Sequence, residues 1–270
     1  MTDELLHAAA DVARRAGDTA LGYFRSALTV EAKADGSPVT LADRAAERAA
    51  REWIEARFPR DGILGEEFGL VRERAARRWI LDPIDGTKTF VRGVPLWGTL
   101  VAVIEDDTVL ASAAYFPAVG EMLAAAPGCG CWWNGARCVV STVSSLGSAT
   151  VLTTDERFPH DAAQREAWGR LAARALVSRS WGDCYGYLLV ATGRAEVMVD
   201  GITSIWDAAP LLPIIEEAGG VFTDWSGART PFAASVVATN RALASTVREL
   251  LAGEATPDRS HGSALERADD

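Results

Sequence analysis

Two stretches near the start of the chain repeat apolar residues at the spacing of an α-helix. In residues 3–24 the apolar positions recur every three or four residues, at Leu5, Leu6, Ala9, Val12, Ala13, Ala16, Ala20 and Phe24. Residues 41–58 follow a turn-rich segment at 33–38 and are predicted to form a second helix. Because such a stripe covers one face of a helix, we expect the first helix to face the core rather than a partner.

A series of shorter apolar runs follows, with the length and residue types of β-strands. The predicted strands lie at residues 63–64, 79–81, 99–104, 109–115, 131–133 and 138–140. Asn134-Gly135 between the last two is a favoured hairpin turn. The run at 79–81 is predicted to break at Asp82-Pro83. Acidic residues therefore follow the predicted strands at 63–64 and 79–81, in addition to the acidic turn at 105–107.

From about residue 149 strands and helices alternate. Strands are predicted at 150–153, 195–199, 221–223 and 236–238. Four helices are predicted between and after them. The first covers 161–175, the second follows the loop 180–185 and ends at Gly193, the third runs from a cap at Asp207 to Glu217, and the last covers 241–251. We therefore divide the chain into an N-terminal α+β half, 1–148, and a C-terminal α/β half, 149–252. The polar segment 253–270 is predicted to be a disordered tail.

Composition narrows the possible partners. Hydrophobic residues make up 49% and charged residues 24% of the 270 residues, which is ordinary for a globular protein. The formal charge of −10 argues against nucleic acid and anionic membranes as partners. No apolar run approaches about 20 residues, and the acidic N-terminus does not resemble a signal peptide. With four cysteines that form no dense disulfide pattern, we expect a cytoplasmic protein. Zinc binding at Cys129, Cys131 and Cys138 is disfavoured by their spacing.

The most informative stretch for chemistry is residues 79–90. Asp82 and Asp85 stand three residues apart and precede Gly86-Thr87. Carboxylates beside a glycine turn suit a hard cation, and free backbone N–H groups there suit an anionic oxygen. We therefore predict that this loop holds a divalent metal and a phosphate together. Glu66 and Glu67 also follow an apolar run, at a place where sites in α/β sheets often form.

Several other routes to phosphate chemistry are excluded. The three histidines, His7, His160 and His261, fall in a helix, a loop and the predicted tail. The phosphorylated-aspartate signature D-x-D-x-T and the P-loop signature are absent. The spacing from Cys131 to Arg137 matches C-x5-R, but two tryptophans and Asn134-Gly135 fill its middle. The route to phosphate chemistry that remains uses a metal ion bound by oxygen ligands.

Three motifs together resemble the inositol monophosphatase family of metal-dependent phosphatases. They are Gly65-Glu66-Glu67, the run Asp82 to Thr87, and Trp206-Asp207-Ala208-Ala209, and the resemblance covers residues 9–251. It implies an α/β fold, the layered α/β/α/β/α sandwich shared by inositol monophosphatases and fructose bisphosphatases. It also implies a small-molecule phosphate monoester as substrate and a homodimer as assembly.

The resemblance further implies a metal site and a mechanism. One Mg²⁺ would bind Glu66, Asp82 and the Ile84 carbonyl; a second would bind Asp82, Asp85 and Asp207; a weaker third ion would lie near Glu66, and Mn²⁺ could substitute. Thr87, with Asp43 behind it, would position a metal-activated water for in-line attack. Glu67 is a further candidate catalytic residue, and Gly86, Thr87 and Lys88 would hold the phosphate. From its place in a first helical turn, Asp43 can equally be a residue that favours the helix dipole.

The residues expected around the leaving alcohol resemble the histidinol-phosphatase branch of this family. The resemblance rests on residues 90–95 and 179–185, and Lys88 departs from the usual inositol monophosphatase motif. Candidate substrate contacts are Lys88, Arg92, Arg179, Asp183, Asp200 and Asp207. Extra carboxylates at Asp183 and Asp200 suit the ammonium and imidazole of histidinol. Three residues have a structural alternative as well: Asp183 can be a helix N-cap, and Arg92 and Arg179 can be surface or structural charges.

The sequence therefore predicts a Mg²⁺-dependent phosphomonoesterase, with histidinol-phosphatase activity in histidine biosynthesis as the favoured reading. The alternatives are an inositol-1-phosphatase, a broad sugar-phosphate phosphatase, and a catalytically silent regulatory protein on the same fold. The silent protein is disfavoured because every expected metal ligand is present.

Overall fold

The protein is built on two large β-sheets and a short two-stranded one, in a computed structural model that describes residues 2–27, 29–33 and 36–252. The short sheet pairs β1 (Glu31–Ala32) with β2 (Pro38–Val39). The first large sheet contains β3 (Gly62–Gly65), β4 (Gly69–Val71), β5 (Arg77–Asp85), β6 (Gly98–Glu105), β7 (Thr108–Phe116), β8 (Glu121–Ala126), β9 (Gly130–Trp133) and β10 (Ala136–Arg137). Its order is β10-β9-β8-β7-β6-β5-β3-β4. Only the β3–β5 pair is parallel, so the carboxyl ends of these two strands meet at one edge.

Helices α1 (Thr2–Leu21) and α2 (Leu41–Arg57) cover one face of this sheet. The predicted apolar stripe of α1 is buried against the sheet, with Val12 and Ala13 fully inaccessible. Ile54 of α2 and Trp79 of β5 belong to the same cluster. Both N-terminal helices are therefore confirmed as core-facing elements.

The second large sheet contains β11 (Thr150–Thr153), β12 (Val177–Arg179), β13 (Val197–Asp200), β14 (Val221–Thr223) and β15 (Val236–Thr239), in the order β12-β11-β13-β15-β14. Its strands β11, β12 and β13 run parallel. Helices α4 (Ala162–Ala172) and α7 (Ala244–Ala252) pack on its outer face, where Trp168 and Val247 are buried.

A central layer of helices joins the two sheets. It contains α5 (Asp183–Ala191) and α6 (Ile205–Glu217), whose side chains lie in one cluster with Phe116 of the first sheet and Phe222 of the second. The central strands of the first sheet are covered on both faces, which explains why β6 is apolar almost throughout. The layers follow the order α/β/α/β/α, as predicted. The proposed division at residues 148/149 stays a prediction, and the predicted tail, 253–270, lies outside the described residues.

Some element boundaries differ from the prediction. The hairpin at Asn134-Gly135 pairs β9 with Ala136–Arg137, so the strand predicted at 138–140 is wrong, although Cys138 N–H still donates to the Cys131 carbonyl. The last helix begins at Ala244 and not at residue 241. A short helix, α3 (Thr87–Val91), follows the acidic loop and was not predicted. None of the helices in the described part of the chain has the length and apolar character needed to cross a lipid bilayer.

Candidate active site

Strand β5 carries Asp82 and Asp85 into the site. It does not break at Pro83 as predicted but pairs with β6 as far as Asp85, across a register shift. Proline offers no N–H to the ladder, and a bulge accommodates it. Ile84 N–H donates to Asp82 Oδ1 over 3.0 Å, which closes the bend. Gly86 then takes a φ of 86°, a left-handed conformation that glycine adopts without strain, and leads into α3.

Asp207 reaches the same place from the second half of the chain. Carboxylate oxygens of Asp82, Asp85 and Asp207 lie within 4.8 Å of one another. Asp207 was predicted to cap its helix from the N-cap position, but α6 begins earlier and Ser204 is the N-cap. Asp207 completes a capping box, accepting a hydrogen bond from Ser204 N–H over 2.7 Å. The cap therefore also fixes the direction of this carboxylate.

The electrostatics of this cluster fit a cation. Burial, followed by the neighbouring carboxylates, raises the pKa of Asp82 and Asp85 well above the ordinary value. Burial also raises the pKa of Asp207 to about 7, against a lowering by the Ser204 hydrogen bond. Carboxylates this close repel one another unless a positive charge lies among them. An all-oxygen donor set of this kind suits a hard divalent cation.

Glu66 and Glu67 lie beside this cluster but bind a lysine. Glu66 follows β3, whose parallel pairing with β5 brings it toward Asp82. The Lys33 ammonium lies 2.6 Å from a carboxylate oxygen of each glutamate. Burial alone would lower the pKa of Lys33. The hydrogen bonds and negative charges of the two glutamates raise it by more, so the net shift of the lysine pKa is upward. Burial raises the pKa of Glu67 to about 7, although Lys33 acts in the opposite direction.

A fully buried glutamate, Glu47, holds the turn that carries Glu66 and Glu67, and the sequence analysis missed it. Its carboxylate accepts hydrogen bonds from Glu67 N–H over 2.7 Å, from Phe68 N–H over 3.2 Å and from Arg51 Nε over 2.7 Å. A Cβ at Gly65 would lie 2.1 Å from Glu47 Oε1, so only glycine fits there. The sequence does contain a signal for Glu47, because this charged residue falls on the buried face of α2.

Asp43 caps α2, and its carboxylate also lies near Thr87; a role in positioning the attacking water stays a prediction. One carboxylate oxygen accepts hydrogen bonds from Thr40 N–H over 2.8 Å and from Thr40 Oγ1 over 2.7 Å, which caps α2. The other oxygen lies 3.4 Å from Thr87 Oγ1, whose nearer acceptor is the Ile84 carbonyl at 3.0 Å. Burial raises the pKa of Asp43 despite these hydrogen bonds.

Two further carboxylates each share a cavity wall with Lys88, Asp183 in one cavity and Asp200 in another. Asp183 is not the N-cap of α5, which is Gly182; instead its Oδ2 accepts a hydrogen bond from Thr89 Oγ1 over 3.1 Å. Asp200 ends β13 and accepts hydrogen bonds from Thr154 N–H over 3.0 Å and Tyr187 OH over 2.8 Å. The next residue after Asp183, Cys184, donates its N–H to Asp85 Oδ2, which ties this region to the acidic cluster.

The predicted cationic contacts separate into two groups. Lys88 and Arg92 line a cavity of about 490 Å³ together with Asp183 and Arg157. Arg179 lies on the edge strand β12, is exposed, and donates to the Ser178 carbonyl over 2.7 Å. The structure does not bring Arg179 to the other site residues, so its assignment as a substrate contact stays a prediction.

Comparisons with known proteins agree with this geometry. The inositol monophosphatase family profile matches residues 1–256. A histidinol-phosphatase from Chlorobaculum parvum is 44% identical, over 82% of this chain and 86% of its own length. A histidinol-phosphatase from Mycobacterium tuberculosis is 37% identical, over 89% and 95%. A solved inositol monophosphatase from Zymomonas mobilis superposes with a TM-score of 0.83 at 31% identity, covering 93% of this chain and 98% of that one. The chain therefore belongs to the inositol monophosphatase family of metal-dependent phosphatases.

Proposed function

We propose that this protein is a Mg²⁺-dependent phosphate monoester hydrolase that converts L-histidinol phosphate to L-histidinol and phosphate. The observation that carries the proposal is a pair of carboxylates outside the three-carboxylate cluster: Asp183 and Asp200 each line a cavity together with Lys88. Asp183 Oδ2 lies 3.1 Å from the position that a Cβ on Gly86 would take. Such carboxylates suit an ammonium or imidazole group better than a neutral polyol. The activities named for the two bacterial relatives support the same substrate.

The acidic cluster and its neighbours are the proposed metal ligands. They are Glu66, Asp82, the carbonyl of Ile84, Asp85 and Asp207, for two to three Mg²⁺ ions, with Mn²⁺ as a substitute. When bound, such ions lower the pKa of the attacking water and stabilise charge on the leaving oxygen. The donor set consists of oxygen atoms only, which is what Mg²⁺ prefers.

The remaining site residues are proposed to orient the phosphate and the water. The backbone N–H groups of Gly86, Thr87 and Lys88 stand at the start of α3, where helices leave such donors without an intrahelical acceptor. Thr87 Oγ1 can accept a hydrogen bond from the water while donating its own proton to Asp43 or the Ile84 carbonyl. Glu67 remains a predicted catalytic residue, and Asp207 is also a predicted substrate contact.

The second candidate function is hydrolysis of inositol 1-phosphate or a broader set of sugar phosphates. It is favoured by the likeness to the inositol monophosphatase from Zymomonas mobilis. The two functions share the metal cluster and differ in the alcohol that must be bound. Homodimer formation and a cytoplasmic location stay predictions, as do the absence of nucleic-acid and membrane partners.

A substrate panel tests the proposal. With Mg²⁺, we expect kcat/KM for L-histidinol phosphate to exceed that for inositol 1-phosphate by at least about a hundredfold, since a carboxylate binds an ammonium more strongly than a neutral hydroxyl. Phosphate release is the measurement. Asp85→Asn is the control, and it should abolish turnover of both substrates while the protein stays folded by circular dichroism. A preference for inositol 1-phosphate would overturn the substrate assignment and leave the phosphatase intact.

A further inference from the structure

The first two residues of α5, Asp183 and Cys184, contact three other elements of the site. Asp183 Oδ2 accepts a hydrogen bond from Thr89 Oγ1 of α3 over 3.1 Å. Cys184 N–H donates to Asp85 Oδ2 at the end of β5. The third contact lies behind this segment, where Asp183 N–H donates over 2.8 Å to Oγ1 of Thr154, the residue after β11. The Asp183-Cys184 segment thus connects the end of β11 with the acidic cluster.

The backbone of Asp183 needs support from outside its helix. Its φ of 49° lies in the left-handed region, which residues other than glycine adopt at a cost, although aspartate tolerates it better than most. Such a conformation persists where the surrounding contacts determine it, and it is frequent at functional sites. Here the Thr154 hydroxyl holds the Asp183 N–H. A Cβ at Gly182 would lie 2.2 Å from Thr154 Cα, so glycine permits this close approach.

The Asp85 carboxylate depends on this segment for its direction. Asp82 and Asp207 each accept a hydrogen bond from a backbone N–H close to them in sequence, so their orientation is set locally. Asp85 differs, because within the described part of the chain Cys184 is the one residue that donates a hydrogen bond to its carboxylate, from 99 residues further along. Groups that hydrogen-bond to a metal ligand fix its orientation, and their loss lowers metal affinity by roughly 10- to 100-fold.

We propose that Thr154 is a positioning residue for the proposed Mg²⁺ ligand Asp85. Its hydroxyl accepts the Asp183 N–H and so holds the Asp183-Cys184 segment where Cys184 N–H directs the Asp85 carboxylate. A ligand that is oriented in advance favours cation binding, because less order has to be imposed when the ion arrives. The inference rests on the metal site of the proposed function and does not depend on which alcohol leaves.

A purely structural role of Thr154 is the alternative. A hydroxyl that accepts a free N–H at the start of a helix stabilises that helix, so this alternative predicts a loss of stability and no change in metal binding. Thr154 also donates its backbone N–H to Asp200 Oδ1 over 3.0 Å, a contact that any replacement other than proline retains. Side-chain variants at this position therefore test the hydroxyl alone.

Calorimetric titration of the metal-free protein with Mg²⁺ tests the positioning role. We expect Thr154→Val, which keeps the branched shape and removes the acceptor, to raise the Mg²⁺ dissociation constant about tenfold. Thr154→Ser keeps the hydroxyl and should bind Mg²⁺ as tightly as the wild type. Gly182→Ala keeps the hydroxyl as well but pushes Thr154 away, so it should weaken binding as Thr154→Val does. The Mg²⁺ concentration that gives half-maximal phosphate release should rise in parallel with the dissociation constant.

Val151→Ala is the matched control. Val151 lies on β11, and its side chain packs in the outer cluster with Trp168 and Val247. Its truncation leaves a cavity and destabilises the same strand without touching the Asp183-Cys184 segment. We expect this variant to have a lower melting temperature and the Mg²⁺ affinity of the wild type.

The Mg²⁺ affinities separate this inference from the proposed function. Wild-type affinity in Thr154→Val would overturn the positioning role, even if the melting temperature of that variant falls. An equal loss of affinity in Val151→Ala, or a weakened Thr154→Ser, would overturn it too. A preference for inositol 1-phosphate would overturn the substrate assignment, whereas the Mg²⁺ affinities would still decide the role of Thr154. A wild-type protein that binds no Mg²⁺ would overturn the proposed function and this inference together.

Discussion

Asp43 and Asp207 each combine two roles in this site. Asp43 and Asp207 each stand at the third position of a helix and complete a capping box, and each also points its carboxylate toward the proposed chemistry. The capping role can be predicted from the residue type and its position. The second role depends on the partner across the fold, Thr87 for Asp43 and the β5 carboxylates for Asp207. Sequence spacing cannot show that contact.

The buried Asp200 leads to a prediction about how the stability of the fold depends on pH. Its pKa is raised from 3.8 to about 6, mainly by burial. A carboxyl with a raised pKa stabilises the fold below its unfolded pKa, and this contribution is lost as the pH rises through the folded pKa. The shift of roughly two pKa units corresponds to about 3 kcal/mol. Part of this loss falls below pH 4, so between about pH 4 and pH 7 the metal-free wild type should lose about 2 kcal/mol more stability than Asp200→Asn.

Urea denaturation of both proteins at the two pH values gives the measurement. The comparison isolates Asp200, because the other buried carboxylates titrate in both proteins. Equal losses of stability in the two proteins would show that Asp200 titrates normally.

At the scale of elements, the turn after β3 depends on the helix behind it. Glu47 of α2 holds the N–H groups of Glu67 and Phe68, so Glu47→Ala should disorder the turn without removing a proposed ligand. We expect a loss of about 3 kcal/mol in unfolding free energy, typical of breaking a buried ion pair. We also expect weaker Mg²⁺ binding, measured by calorimetry. Glu52→Ala, on the exposed side of the same helix, should change neither quantity. Wild-type Mg²⁺ affinity in Glu47→Ala would contradict this role.

Most elements could be predicted because their apolar periods are regular, as in α1 and β6–β7. The features that were not predicted from the sequence have physical causes. The bulge that carries β5 past Pro83 is a tertiary adjustment to pairing with β6, and α3 is too short to show a period. The acidic residues were found from their motifs, whereas Lys33 was not, since a lysine in a turn-rich segment looks like a solvated charge. Its contact with Glu66 and Glu67 is visible only in three dimensions.

At the scale of the whole molecule, an exposed sheet edge is a candidate surface for the predicted homodimer. Strand β12 is an edge strand of the second sheet, and Leu176 and Trp181 on either side of it are 67% and 44% exposed. Exposed apolar side chains beside an open edge are typical of an interface. We therefore predict that this edge contributes to the homodimer.

Light scattering with size-exclusion chromatography tests this prediction. The wild-type protein should have twice the chain mass of 28.8 kDa, and the double variant Leu176→Asp/Trp181→Asp should be monomeric. Val139→Asp is the control, since Val139 is 69% exposed and lies outside this edge. A monomeric wild type, or a dimeric double variant, would contradict the prediction.

Helix α6 touches both large sheets and begins with the segment that holds Asp207. A ribosome releases the chain in order, so Asp82 and Asp85 emerge long before Asp207. A nascent chain therefore holds an incomplete set of carboxylates until α6 has been made. The docking of α6 that fills the central layer is also the step that completes the acidic cluster. If these carboxylates bind the metal as proposed, an unfinished polypeptide thus lacks the complete set of ligands.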